Sequence, residues 1–135
     1  MLECMILGDS IGVGISMVRK DCVSYAQGGI NTTDYLKKFT SVSASTETTV
    51  ISLGTNDTER VPTYENLRKL RASLHSRRVV WIVPSSQVKP KQNQIVKRLA
   101  QENNDFIIET QGVSMSQDKI HPTGTGYREI SKRIP

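Results

Sequence analysis

Aromatic residues make up only 5% of the 135-residue chain, and it holds two cysteines and two histidines. No apolar run approaches the length that spans a bilayer. Each shortage removes a class of function. Few aromatics leave little stacking surface for single-stranded nucleic acid. No nucleic-acid partner is therefore expected, despite a net charge of +5. The cations behind that charge, among them Arg68, Lys69, Arg71, Arg77, Arg78, Lys89, Lys91, Lys97 and Arg98, read as solvated helix faces with a mild lean toward anionic partners. Cys4 and Cys22 are too few for a disulfide scaffold, and both are expected as buried or half-buried thiols at strand edges. The scarce histidines and cysteines lie too far apart for a zinc cluster. Asp9 and Asp57 have only glycine and hydroxyl neighbours, which offer magnesium no further hard ligands. Neither metal nor cofactor is expected. A dinucleotide fingerprint fails because Met17 stands where the third glycine should follow Gly12 and Gly14, and no Gly-Lys-Ser/Thr phosphate loop exists. The opening apolar run is short and leads straight into Gly8-Asp9-Ser10, so it does not read as a signal peptide, and no membrane insertion is expected. A cytoplasmic or virion-associated protein, or a domain cut from a longer chain, fits these features.

What is present is a regular alternation. Leu2–Leu7, Cys22–Ala26, Thr48–Leu53, Arg78–Val83 and Phe106–Ile108 read as five short strands. Between them, Ser10–Lys20 carries Ile11, Ile15 and Val18 at helical spacing. A helix capped by Asn31 or Thr32 carries Tyr35, Leu36 and Phe39. Thr63–His75 carries Leu67, Leu70 and Leu74, and Lys91–Asn103 carries Ile95, Val96 and Leu99. Residues 41–47 read as a small polar connection. His75 reads as a helix C-terminus, Trp81 as core, and Pro122 as an early position of a last helix ending near Ile134. The strands are near-continuous apolar runs, as expected when helices cover both faces of a parallel sheet. The expected fold is α/β: one domain over residues 1–135, built as a three-layer α/β/α sandwich on a five-stranded parallel sheet.

Ligands of open parallel sheets bind beyond the carboxyl ends of the strands. The segments there are Gly8-Asp9-Ser10, Gln27-Gly28-Gly29, Gly54-Thr55-Asn56-Asp57, Pro84-Ser85-Ser86 and the loop before His121. Nucleophilic catalysis needs a hydroxyl on an exposed turn, a base to take its proton and an acid to orient that base. Ser10 supplies the hydroxyl at a helix N-terminus, where backbone N–H groups are unpaired. His121 is the histidine in a loop beyond a strand, and Asp118 stands three residues before it, within one turn. Oxyanion donors are available from the N–H of Ser10, a glycine N–H of Gly28-Gly29 and the amide of Asn56. Ser85, Ser86, Tyr25 and Met115 are further residues placed near the same edge.

Gly8-Asp9-Ser10, the glycine near position 29, Gly54-Thr55-Asn56-Asp57 and Asp118-Lys119-Ile120-His121-Pro122 resemble, in order, the four blocks of the SGNH (GDSL-like) hydrolases. The likeness runs from residue 6 to residue 122, nearly the whole chain. It implies a flavodoxin-like sandwich and a metal-free esterase. Ser10 would be the nucleophile, His121 the base and Asp118 its orienting acid. Ser10, Gly29 and Asn56 would form the oxyanion hole, with Gly29 favoured over Gly28. Asp9 and Asp57 would brace loops. The implied substrate is a small ester or an acylated glycan, with short acyl or O-acetyl groups. The chain is short for the family, which implies a shallow, open cleft. A catalytically silent binding module of the same fold is the alternative, and it is opposed by the filled triad positions.

Overall fold

The computed structural model describes residues 1–40, 42 and 45–135. Five parallel strands form one sheet: β1 (Leu2–Gly8), β2 (Val23–Ala26), β3 (Ser45–Ser52), β4 (His75–Val83) and β5 (Phe106–Glu109). Their spatial order is β2-β1-β3-β4-β5. Helices α1 (Ser10–Val18) and α5 (Gly124–Arg133) cover one face. Helices α2 (Thr32–Lys38), α3 (Thr63–Ala72) and α4 (Pro90–Glu102) cover the other. The strands' alternating side chains explain the division. Met5, Leu7, Ile51, Val79, Trp81 and Val83 face the three-helix layer, while Cys4, Ile6, Val50, Val80 and Ile82 face α1 and α5. The α/β/α sandwich is the architecture expected.

Several local expectations need correction. Cys4 and Cys22 are joined in a disulfide rather than standing as thiols, with Cα atoms 4.4 Å apart. The parallel register Met5↔Val23 sets the two residues just before it side by side across β1 and β2. Helix α3 stops at Ala72, and His75 opens β4 opposite Ser45 instead of closing the helix. β3 likewise begins at Ser45, so the polar connection is shorter than expected; residues 41, 43 and 44 of it lie outside the described residues. Both strands extend because the hydroxyls of Thr46, Thr49 and Ser76 satisfy one another at 2.7–2.8 Å, which lets polar residues continue the sheet. Pro122 stands outside the last helix. Thr123 is the cap, its hydroxyl accepting from the Gly126 N–H at 3.1 Å. Of the two capping candidates for α2, Asn31 takes the role by accepting from the Asp34 N–H at 2.8 Å. Trp81 is fully buried as expected, and its indole N–H donates to Asp105 at 2.8 Å. Asp105 also takes a two-pronged bond from Arg71 at 2.8 and 2.9 Å, linking α3, β4 and the turn before β5.

The register also decides what emerges at the carboxyl edge. Gly8 pairs with both Ala26 and Ser52, so β1, β2 and β3 end at one level. The next residues of each, Asp9-Ser10, Gln27-Gly28 and Leu53-Gly54, leave the sheet together. The crossovers diverge between β1 and β3, the switch point where sheets of this order hold ligands.

Candidate active site

Asp9 builds the first wall. It is completely buried, and its Oδ1 accepts from the Ile11 N–H at 3.0 Å, capping α1 immediately after β1. The Ser52 hydroxyl adds a longer bond at 3.4 Å, tying the turn to β3. Oδ2 has no partner among the described residues. Burial, outweighing these bonds, pushes the carboxyl up to about 6. With the cap in place, Ser10 occupies the first position of α1 and its hydroxyl stands at the carboxyl edge.

A close helix–helix approach brings the second wall. A Cβ on Gly14 would lie 2.2 Å from the Tyr127 ring, and one on Gly126 would lie 2.1 Å from the Ser114 carbonyl oxygen. Hydrogen at Gly14 lets α5 sit against α1, and hydrogen at Gly126 lets the segment around Ser114 fold onto the start of α5. Met115 and Pro122 form an antiparallel bridge, with the Ser116 N–H donating to the His121 carbonyl at 2.8 Å. Asp118 to His121 form the tip of this small hairpin.

At that tip Asp118 Oδ1 accepts from the N–H groups of Ile120 and His121 at 2.9 and 3.0 Å. These bonds, together with the imidazole, hold its carboxyl down at about 2. The ionised carboxylate can only accept, so His121 Nδ1 carries the proton and donates to Oδ2 at 2.7 Å. In the neutral imidazole Nε2 is then the acceptor, and it lies 2.9 Å from Ser10 Oγ. Three residues from two distant parts of the chain, 111 positions apart, form one hydrogen-bonded line.

Beside them lie the glycine turn and the β3 turn. Gly29 has φ +77°, and no atom approaches the place its Cβ would fill. Gly28 is nearer the serine, its Cβ position falling 3.9 Å from Ser10 Cβ. The N–H groups of Ser10, Gly28 and Gly29 have no protein acceptor among the described residues. Asn56 is half-buried, and its amide donates to the Ile30 carbonyl at 3.1 Å, which anchors the side chain and leaves its second N–H uncommitted.

Asp57 lies behind this surface. It accepts from the Thr32 N–H at 2.8 Å and from the hydroxyls of Thr32 and Thr63 at 2.6 Å each, joining α2, α3 and the β3 turn. The Asn66 amide completes the network by donating to the hydroxyls of Thr32 and Thr33. Sequence reading did not find these partners; a Thr just inside each helix start was the available signal. Ser85 is buried and braces the β4 turn, accepting from the Val88 N–H and the Gln111 amide at 3.2 and 3.0 Å. Tyr25 packs against the three-helix layer. Lys119, not singled out in the sequence, sits in the left-handed region at φ +60°.

No family model matches the chain, and no curated protein does. Solved structures do. A GDSL-like lipase from Bacteroides thetaiotaomicron superposes with TM-score 0.71 at 18% identity, covering 97% of this chain and 84% of that one. The chain has the SGNH hydrolase fold. A carbohydrate acetylesterase family member from Sinorhizobium meliloti shares the SGNH fold with TM-score 0.66 and 12% identity, over 98% of this chain and 94% of the other. The inhibitor-bound aryl esterase of M. smegmatis gives TM-score 0.66 at 14% identity, over 97% and 95%. At such identities the likeness concerns the SGNH fold, and the chemistry rests on the residues described above.

Proposed function

We propose that this SGNH-fold protein is a serine esterase that cleaves short acyl or O-acetyl esters through an acyl-Ser10 intermediate. The observation that carries the proposal is the Ser10–His121–Asp118 line, 2.9 and 2.7 Å long, with free N–H groups beside it. Its three-layer neighbours named as lipase, acetylesterase and aryl esterase support the same reaction class.

In this reading His121 Nε2 takes the Ser10 proton as Oγ attacks the ester carbonyl carbon. The carbonyl oxygen becomes an oxyanion facing the N–H groups of Ser10 and Gly29 and the free amide hydrogen of Asn56. The imidazolium, stabilised by Asp118, then protonates the leaving alkoxide as the C–O bond breaks. Water repeats the sequence on the acyl-serine and releases the acid. The chain's own groups supply the nucleophile, the base and the oxyanion donors. Ser10 and His121 are half-buried and Asp118 is exposed, which suits a small ester on an open surface rather than a long acyl chain in a tunnel.

Ser10→Ala is expected to lower hydrolysis of p-nitrophenyl acetate by about 10⁴-fold or more, with the fold retained by circular dichroism. A serine-directed phosphonate should label the wild-type protein at Ser10 and leave the variant unlabelled. Wild-type turnover by the variant would sink the mechanism.

A further inference from the structure

We infer that the cavity lined by Gln87, Gln111, Val113, Met115 and Lys119 is the subsite for the leaving alcohol, and that it selects a polyhydroxylated alcohol bearing an anionic group. The inference rests on the esterase reading above. The same imidazole that receives the serine proton must deliver it to the departing oxygen, so the alcohol half of the ester lies on the His121 side of Ser10. This cavity, about 280 Å³, takes two of its lining residues, Met115 and Lys119, from the hairpin that carries His121. Met115 pairs with Pro122, next to His121, and Lys119 stands two residues before His121 in the turn that Asp118 holds.

Its lining has a definite chemistry. The lining is mainly polar, with a small apolar contribution from the nearly fully buried Val113 and half-buried Met115 that a sugar ring's C–H groups can meet. The Gln111 amide is fixed, donating to Ser85 and accepting from the Ser86 N–H at 3.0 Å each, so that part of the wall is rigid. Gln87 has no hydrogen-bond partner among the described residues, which leaves an amide able both to donate to and accept from hydroxyls. Lys119 has no ion-pair partner among the described residues. Its ammonium is the cation of this cavity.

The backbone of Lys119 strengthens the case. At φ +60° a glycine would sit without the steric penalty that a lysine meets, and an asparagine with less of it. The turn itself is made by Asp118 Oδ1 and by the Lys119 N–H donating to the Ser116 carbonyl at 3.1 Å, neither of which needs a lysine side chain. What lysine adds is a positive charge in the lining of the cavity, two residues before His121. A carboxylate or a phosphate on the alcohol would satisfy it equally.

Two pairs of acetylated substrates separate the sources. One is O-acetyl glucuronate against its neutral methyl ester, and the other is O-acetyl glucose 6-phosphate against O-acetyl glucose. The wild type should favour the anion in at least one pair, and the pair that shows the preference identifies the anion. Lys119→Asn suits the left-handed backbone and removes the charge. It should shrink the anion-to-neutral ratio of kcat/KM about tenfold, and Lys119→Arg should restore it. Glucuronate and glucose 6-phosphate, titrated into the Ser10→Ala protein, should shift the amide resonances of Lys119 and Gln87. A wild type indifferent to charge, or a ratio unmoved by Lys119→Asn, overturns the subsite. Loss of the parent reading looks different: no Ser10-dependent turnover of p-nitrophenyl acetate at all. Binding without shifts at Lys119 and Gln87 also counts against the subsite.

Discussion

Asp9 is one residue from the serine and carries an unusual burden. Its Oδ1 caps α1, yet its Oδ2 is buried with no partner among the described residues, and the nearby Tyr127 phenol is itself pushed up, first by burial and then by the charges of Asp9 and Asp118. An acid raised to about 6 binds its proton more tightly in the folded state than in the unfolded one. The sign follows: below about pH 4 the group is protonated in both states and costs nothing. As pH rises from about 4 to about 6 the folded state loses stability, and above that the loss is complete, on the order of 3 kcal/mol. Asp9→Asn, which does not ionise, should lack this slope. Urea unfolding of both proteins across the window checks it, and parallel curves would show that Asp9 ionises freely in the fold. Asp118, held down at about 2, has the opposite sense: it stays ionised throughout that window, and what it contributes is lost only on acidification toward pH 2. Its place beside His121 was legible because a spacing of three is local. Asp9's missing partner was not, since it depends on what packs over it.

Among the elements, β2 is a short edge strand with no fully buried residue. It has four residues, pairs among the described strands only with β1, and its first two are exposed. It nonetheless leads into Gly28-Gly29. The disulfide fastens its entry by joining Cys22 to Cys4 of β1, and the 18-residue separation encloses the Asp9-Ser10 turn and all of α1. Closing a loop of that size restricts the unfolded chain and is worth about 3 kcal/mol in the chain-entropy account. Reduction is therefore expected to lower the unfolding midpoint in urea, with the Cys4→Ala/Cys22→Ala protein resembling the reduced form and indifferent to reductant. Equal midpoints with and without reductant would mean that strand pairing alone holds β2. Local spacing did not reveal the bridge, because two cysteines eighteen residues apart meet only through the parallel crossover of β1, α1 and β2.

On the scale of the molecule, two apolar layers share one sheet. Each central strand sends alternate residues into both, so neither layer can lose its packing while the sheet stays ordered. The chain should therefore unfold as one unit. Trp81, fully buried toward the three-helix layer, reports that side by fluorescence, and far-UV circular dichroism reports all helices, including α1 and α5. Coincident urea midpoints are the expected result; separated midpoints would show the layers melting independently. The same shared sheet sets Ser10, Asn56 and the His121 loop on one edge.

Composition and periodicity by themselves determined the alternation of strands and helices, the double cover of the sheet, and the blocks that stand at its carboxyl edge. These are short-range properties: an apolar run or a helical spacing is complete within one element. Tertiary structure alone decided the Cys4–Cys22 bridge, the threonine cradle of Asp57 and the start of β4 at His75. Each depends on register, crossover or close approach between residues far apart in the chain. Such contacts arise only when the whole sheet has assembled.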